Sequence, residues 1–162
     1  MDFRLTSKNL NEGERMPEAQ VFNGMGYTGG NVSPHLMWEG APEGTKSFVV
    51  TAYDPDAPTG SGWWHWVVIN IPAWVTELPE GAGSSDGAGL PPVSLQTRTD
   101  FGAPGYGGAA PPPGGPHRYI FAVHALKVER LELESDATAA MVGYMTNMNT
   151  LGKATLTVTY GK

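Results

Sequence analysis

The stretch KSFVVTAYDPDAPTGSGWWHWVVINIP, Lys46 to Pro72, decides how this chain folds. Its opening residues are mostly β-branched or aromatic, the composition that suits a pleated, half-buried strand. Asp54-Pro55-Asp56 ends that run, and Pro58, Gly60 and Gly62 fill the turn that follows. A second apolar run, HWVVINI, starts at His65. Two strong strands flank a short turn, which sets them up as antiparallel neighbours.

Working outward, HRYIFAVHALKV (His117–Val128) is a third strong strand, and KATLTVTY (Lys153–Tyr160) closes the chain as another. FRLTS (Phe3–Ser7) and AQVF (Ala19–Phe22) are weaker strand signals. SDATAAMVGYMTNMN (Ser135–Asn149) predicts a helix capped by Ser135 or Asp136. Met141, Tyr144, Met145 and Met148 would form its core face. Thr76 to Pro116 is rich in Gly, Pro and Ser and has little periodicity, a length of irregular chain that tends to be functional or mobile. There is no internal repeat. Several strands and one late helix predict a single, mainly β domain over residues 1–162.

Composition narrows the function. The net charge is −6 and no basic run exists, which argues against nucleic acid and anionic membrane surfaces as partners. With no cysteine, zinc–thiolate sites, iron–sulfur clusters and thiol nucleophiles are excluded. No window could span a bilayer and the first residues lack a secretory pattern, so the expectation is a cytoplasmic protein with no stable membrane insertion.

Side chains two apart on a strand share a face. On that rule Trp63, His65, Val67 and Ile69 lie on one side of their strand, and Trp64, Trp66, Val68 and Asn70 on the other. Phe48, Val50, Ala52 and Asp54 share a side, as do His117, Tyr119, Phe121 and Val123. Each strand thus carries an apolar stripe with an ionisable residue at one end. Antiparallel pairing would bring Asp54, His65 and His117 to one rim, with Trp63 and Tyr119 as walls. A mostly apolar slot with a few placed polar groups is the profile of a small-ligand pocket. Imidazoles can donate to phosphate or carboxylate oxygens, and an aspartate beside an aromatic face can receive an ammonium. His35 and His124 show no such placement and are read as structural.

Other matches carry less. GMGYTG (Gly24–Gly29) fits a dinucleotide fingerprint, but Pro34 and no helical pattern follow it. GSSDG (Gly83–Gly87) fits a nucleophile elbow but lacks the flanking strand and helix. Two histidines and a carboxylate leave a facial metal triad open as an alternative.

Three blocks resemble the phosphatidylethanolamine-binding protein family, also called Raf kinase inhibitor-like proteins, in its small bacterial branch. They are Gly30–Pro72, with its D-P-D-A-P and W-x-H signatures; Leu95–Leu126, with its proline run and H-R-Y; and, more weakly, Ala140–Tyr160. The resemblance implies an antiparallel β-sandwich with a large central sheet, a smaller sheet and a helix near the C-terminus. It implies a ligand pocket using Asp54, Asp56, Trp63, His65, His117 and Tyr119, with Pro111 and Pro112 at the mouth and a cis peptide near them. Asp56 and the two prolines rest on the resemblance alone. Family pockets take phosphate, acetate and phosphoethanolamine-like heads. The expectation is therefore a binding module for such a ligand that regulates a protein partner. A kinase or serine-protease inhibitor acting through a surface loop within Thr76–Pro116 is the second reading. An enzyme, metal-dependent or hydrolytic, ranks last because no credible nucleophile is present. No cofactor is expected, and a homodimer is left open.

Overall fold

A computed structural model describes residues 2–161. Eight strands and one helix make up the fold: β1 (Arg4–Thr6), β2 (Leu36–Glu39), β3 (Ser47–Asp54), β4 (Trp63–Pro72), β5 (Glu77–Leu78), β6 (Leu95–Gln96), β7 (His117–Leu126), α1 (Ala139–Asn149) and β8 (Thr150–Tyr160). The larger sheet has the order β6-β4-β3-β7-β8 and the smaller one β1-β2-β5. Every pairing between named strands is antiparallel.

The larger sheet is covered on both faces. One face packs Phe48, Val50, Trp66, Val68, Phe121 and Val123 against Leu5, Leu36, Trp38 and Leu78 of the smaller sheet. The other packs Val49, Val67, Ile69 and Leu126 against Leu131, Ala139 and Val142 of the α1 region. Double coverage explains why β3 and β4 read as nearly continuous apolar runs rather than alternating ones.

The simple alternation expected for β4 fails at His65. Tyr53 pairs with Trp64, but Ala52 pairs with Trp66, so His65 is an extra residue in a β-bulge. The strand changes phase there. Trp64 packs against Tyr53 with ring centroids 4.2 Å apart and planes tilted by 32°, on the helix side of the sheet with Val67 and Ile69. Trp63 and His65 lie instead with Tyr119, on the side of Trp66 and Val68. A second irregularity falls between Phe48 and Val50, where Asn70 adopts φ 60. Asparagine tolerates that left-handed conformation. Its amide exchanges two hydrogen bonds with the backbone of Leu131, turning Asn70 toward the helix layer.

Three further expectations are corrected. Residues 18–20 form a 3-10 turn rather than a strand, and of the AQVF stretch only Val21 makes a β-bridge, to Ala109. Pro17 starts that turn. The helix is capped by Thr138, whose side chain accepts from the Met141 amide, not by Ser135 or Asp136. Its buried residues are Ala139, Val142 and Thr146, while Met141, Tyr144 and Met148 are exposed. Apolar residues run round most of this helix, so periodicity could not choose the inward face.

Candidate functional site

Antiparallel pairing puts the C-terminal end of β3 beside the N-terminal ends of β4 and β7. Asp54 pairs with Trp63, and Tyr53 with Ile120. A cavity of about 730 Å³ opens at this rim. Trp63, His65 and Tyr119 line it from the sheet. Loops complete it through Met25 to Tyr27, Ala57 to Thr59, Phe101, and Ala110 to Gly114. Of the eight residues expected at the site, Trp63, His65, Pro111, Pro112 and Tyr119 line this cavity; Asp54, Asp56 and His117 do not. No cis peptide occurs among the described residues, so the one expected near Pro111 and Pro112 is absent.

The three ionisable residues off the wall form a bonded chain beside it. The Asp54 carboxylate is buried; it accepts from His117 Nδ1 at 2.7 Å and from the Asp56 amide at 2.7 Å. Asp56 accepts from the Arg118 amide at 2.8 Å and from its guanidinium at 2.9 and 3.0 Å. Those bonds hold the Asp56 carboxyl down at about 2, well below its ordinary value. The D-P-D turn thus uses both acids to tie β3 to the start of β7.

The bulge at His65 aims its ring at the cavity. His65 Nδ1 donates to the Gly107 carbonyl at 2.8 Å, and the Gly107 amide donates back to the His65 carbonyl at 2.9 Å. Burial lowers the His65 pKa more than the Gly107 bond raises it. The ring is therefore neutral near pH 7, with its proton on Nδ1 and an acceptor at Nε2. Nε2 has no protein hydrogen-bond partner among the described residues. Tyr119 packs edge-on to this ring at 5.2 Å. Burial, then the nearby Asp54 charge, pushes the Tyr119 phenol up, so it stays protonated. The Tyr119 hydroxyl and Trp63 Nε1 are buried without partners.

Phe101 completes the wall and was not singled out from sequence. It meets Trp63 at 5.4 Å and His65 at 5.5 Å, and stacks on Phe22 at 4.7 Å. Gly107 makes this approach possible, because a Cβ there would lie 2.3 Å from the Phe101 ring. Tyr27, also missed, donates its hydroxyl to the Pro111 carbonyl and so holds the proline mouth. Phe101 had no local signal, and Tyr27 lies within the Gly24–Gly29 stretch, whose composition pointed only to a turn.

The facial metal triad is not assembled. His117 and Asp54 bond to each other, His65 Nδ1 is committed to Gly107, and no cluster of three potential metal-ligating side chains exists among the described residues. Gly24–Gly29 and Gly83–Gly87 are turns and bends without the helix either motif requires. His35 is locked within the fold: its Nδ1 accepts from the Lys8 amide and its Nε2 faces Glu77 at 2.5 Å.

The described residues thus form a mainly antiparallel β domain of two sheets with one α-helix near the C-terminus and an aromatic and proline-lined cavity at the rim of the larger sheet. The chain belongs to the phosphatidylethanolamine-binding protein family, whose model matches residues 6–161. It is 57% identical to the UPF0098 protein YbhB of Escherichia coli K12, over 97% of this chain and 99% of that one. It is 55% identical to YbcL of the same organism, over 98% of this chain and 87% of that one. The crystal structure of E. coli YbcL, presented as a new member of the mammalian PEBP family, superposes with a TM-score of 0.98 and covers 100% of this chain and 99% of its own. A phosphatidylethanolamine-binding protein from Plasmodium vivax, 17% identical and with a TM-score of 0.61 over 100% of this chain and 86% of its own, shares the fold. Among the described residues no helix is long and apolar enough to cross a membrane.

Proposed function

We propose that this protein is a non-catalytic binding module for a phosphoethanolamine-like head group attached to an apolar body. The observation that carries this is the set of unpartnered polar groups on one apolar wall. The Tyr119 hydroxyl and Trp63 Nε1 offer donors, and the neutral His65 ring offers an acceptor at Nε2. Buried polar groups without partners cost about 1–3 kcal/mol each, so a ligand that satisfies them gains what the free protein forgoes.

The lining carries no Lys, Arg, Asp or Glu. The guanidinium of Arg118 is engaged by Asp56. A bare dianion would find no countercharge here, with the Asp54 carboxylate behind the wall. A zwitterion fits better: its phosphate oxygens accept from Tyr119 and Trp63, and its ammonium donates to His65 Nε2 against aromatic faces. The cavity far exceeds a phosphate and falls within the range of small-molecule sites. The prolines and Phe101 suit the apolar remainder. Among the described residues none pairs a nucleophile with a base at this wall, which supports binding without turnover.

The test is a thermal shift series with inorganic phosphate, phosphoethanolamine and a short-chain lysophosphatidylethanolamine. Stabilisation should rise in that order by mass action, reaching about 2.7 kcal/mol at a hundredfold excess over Kd. His65→Ala should remove it. An unchanged melting point for all three up to about 10 mM, far above ordinary ligand Kd values, overturns the reading.

A second reading, loop-mediated inhibition of a kinase or serine protease, draws on Val93. This β-branched residue is 80% exposed and holds φ 61, a strained conformation at the tip of the long loop. It predicts that Val93→Asp abolishes inhibition of a target while His65→Ala leaves it intact. Equal loss from both substitutions counts against it.

A further inference from the structure

The other face of the larger sheet holds a second cavity, of about 300 Å³, between the sheet and α1. Nothing in the site described above reaches it. The bulge at His65 helps to build it, since the phase change sends Trp64 and Val67 to this side beside Thr51 and Tyr53. From β7 come Ile120, Ala122 and His124, and from α1 come Ala139, Val142, Gly143 and Thr146.

Three observations single it out. First, His124 Nδ1 and Thr146 Oγ1 are both buried and have no hydrogen-bond partner. His124 is 9% exposed and Thr146 2%. Two such orphans on residues lining one space call for an occupant, because buried polar atoms in folded proteins are almost always paired. Second, the space is kept open by small residues. Gly143 sits mid-helix, where glycine is disfavoured, yet a Cβ added there would meet nothing within 4 Å. Ala122 and Ala139 widen the same room. Third, the lining has one charged residue, Lys153, and no carboxylate, although the chain as a whole carries a net charge of −6. Lys153 pairs with His124 across β7 and β8.

The geometry points to a second ligand site here, for a small monocarboxylic acid with an aromatic or branched apolar body. The carboxylate would sit between Lys153 and His124 Nδ1–H, with the Thr146 hydroxyl as a further donor. The body would lie along the packed Tyr53 and Trp64 rings and over Gly143. Burial and Lys153 keep the His124 ring neutral at ordinary pH, with one N–H to give. Water alone could pair the two orphans, but it would leave the apolar walls and the lysine without a role.

The test is an NMR titration of the whole chain with benzoate, benzyl alcohol serving as the uncharged control. Benzoate should shift His124, Thr146 and Gly143 together and saturate, with His65 and Trp63 unmoved. Lys153→Gln lies on an exposed residue and should weaken benzoate about fivefold without altering benzyl alcohol. Gly143→Leu fills the space with a good helix former and should abolish both. If Gly143→Leu fails to fold, Lys153→Gln still decides the matter. The proposal is overturned if benzoate gives no saturable shift, if it moves His65 and Trp63 instead, or if Lys153→Gln leaves its affinity unchanged.

Discussion

Acidification should expose His124 as a stability switch. Its pKa is lowered from 6.5 to about 4, first by burial and then by the Lys153 charge. The unfolded chain therefore takes up a proton at this ring between those values while the folded chain does not. Stability from the neutral ring is complete above the ordinary value and is lost as pH falls toward the folded one. Between about pH 7 and pH 4.5 the two values give a loss of roughly 2 kcal/mol from this residue. For a chain of this length that corresponds to roughly 4–8 °C in Tm. The assay is urea unfolding at both pH values for the natural protein and His124→Leu. The buried His65, shifted the same way, and every carboxylate contribute to both proteins and cancel in the difference. His124→Leu should lose about 2 kcal/mol less on acidification. Equal losses, within about 0.5 kcal/mol, would refute the claim that the ring is held neutral by its surroundings.

Two other substitutions probe the first cavity and its support. Tyr119→Phe removes a buried, unpartnered hydroxyl, so the free protein should gain up to about 1 kcal/mol while phosphoethanolamine affinity drops roughly fivefold. Melting curves with and without ligand check both signs, and a destabilised free protein would show that the hydroxyl already has a partner. Asp54→Ala leaves His117 Nδ1 and the Asp56 amide without their acceptor and should cost about 3 kcal/mol by urea unfolding, with Asp54→Asn costing less.

Much of the architecture was legible. β3, β4, β7 and β8 stand out because β-branched and aromatic runs bounded by Asp, Pro and Gly have few other uses. The short turn between β3 and β4 makes that pair antiparallel, whereas the place of β7 beside β3, which brings His117 and Tyr119 to the same rim, does not follow from it. Composition alone removed thiol chemistry.

What the sequence could not decide depends on residues far apart in the chain. Alternation along β4 gives the wrong partners after His65, because a bulge is set by pairing with β3 and by the two bonds to Gly107, forty-two positions away. The aspartates looked like ligand groups, yet Asp54 is committed to His117 and Asp56 to Arg118, bonds that exist only once β7 lies beside β3. The helix shows apolar residues on several sides, and which side turns inward is fixed by the Thr138 cap and the sheet beneath. The second cavity has no local signature at all. It is the space left where Gly143, Ala122 and Ala139 happen to face one another. Sequence determines which segments are strands, because that preference is local. Tertiary packing decides which polar atoms remain free to meet a ligand, because that depends on every other partner having been found first.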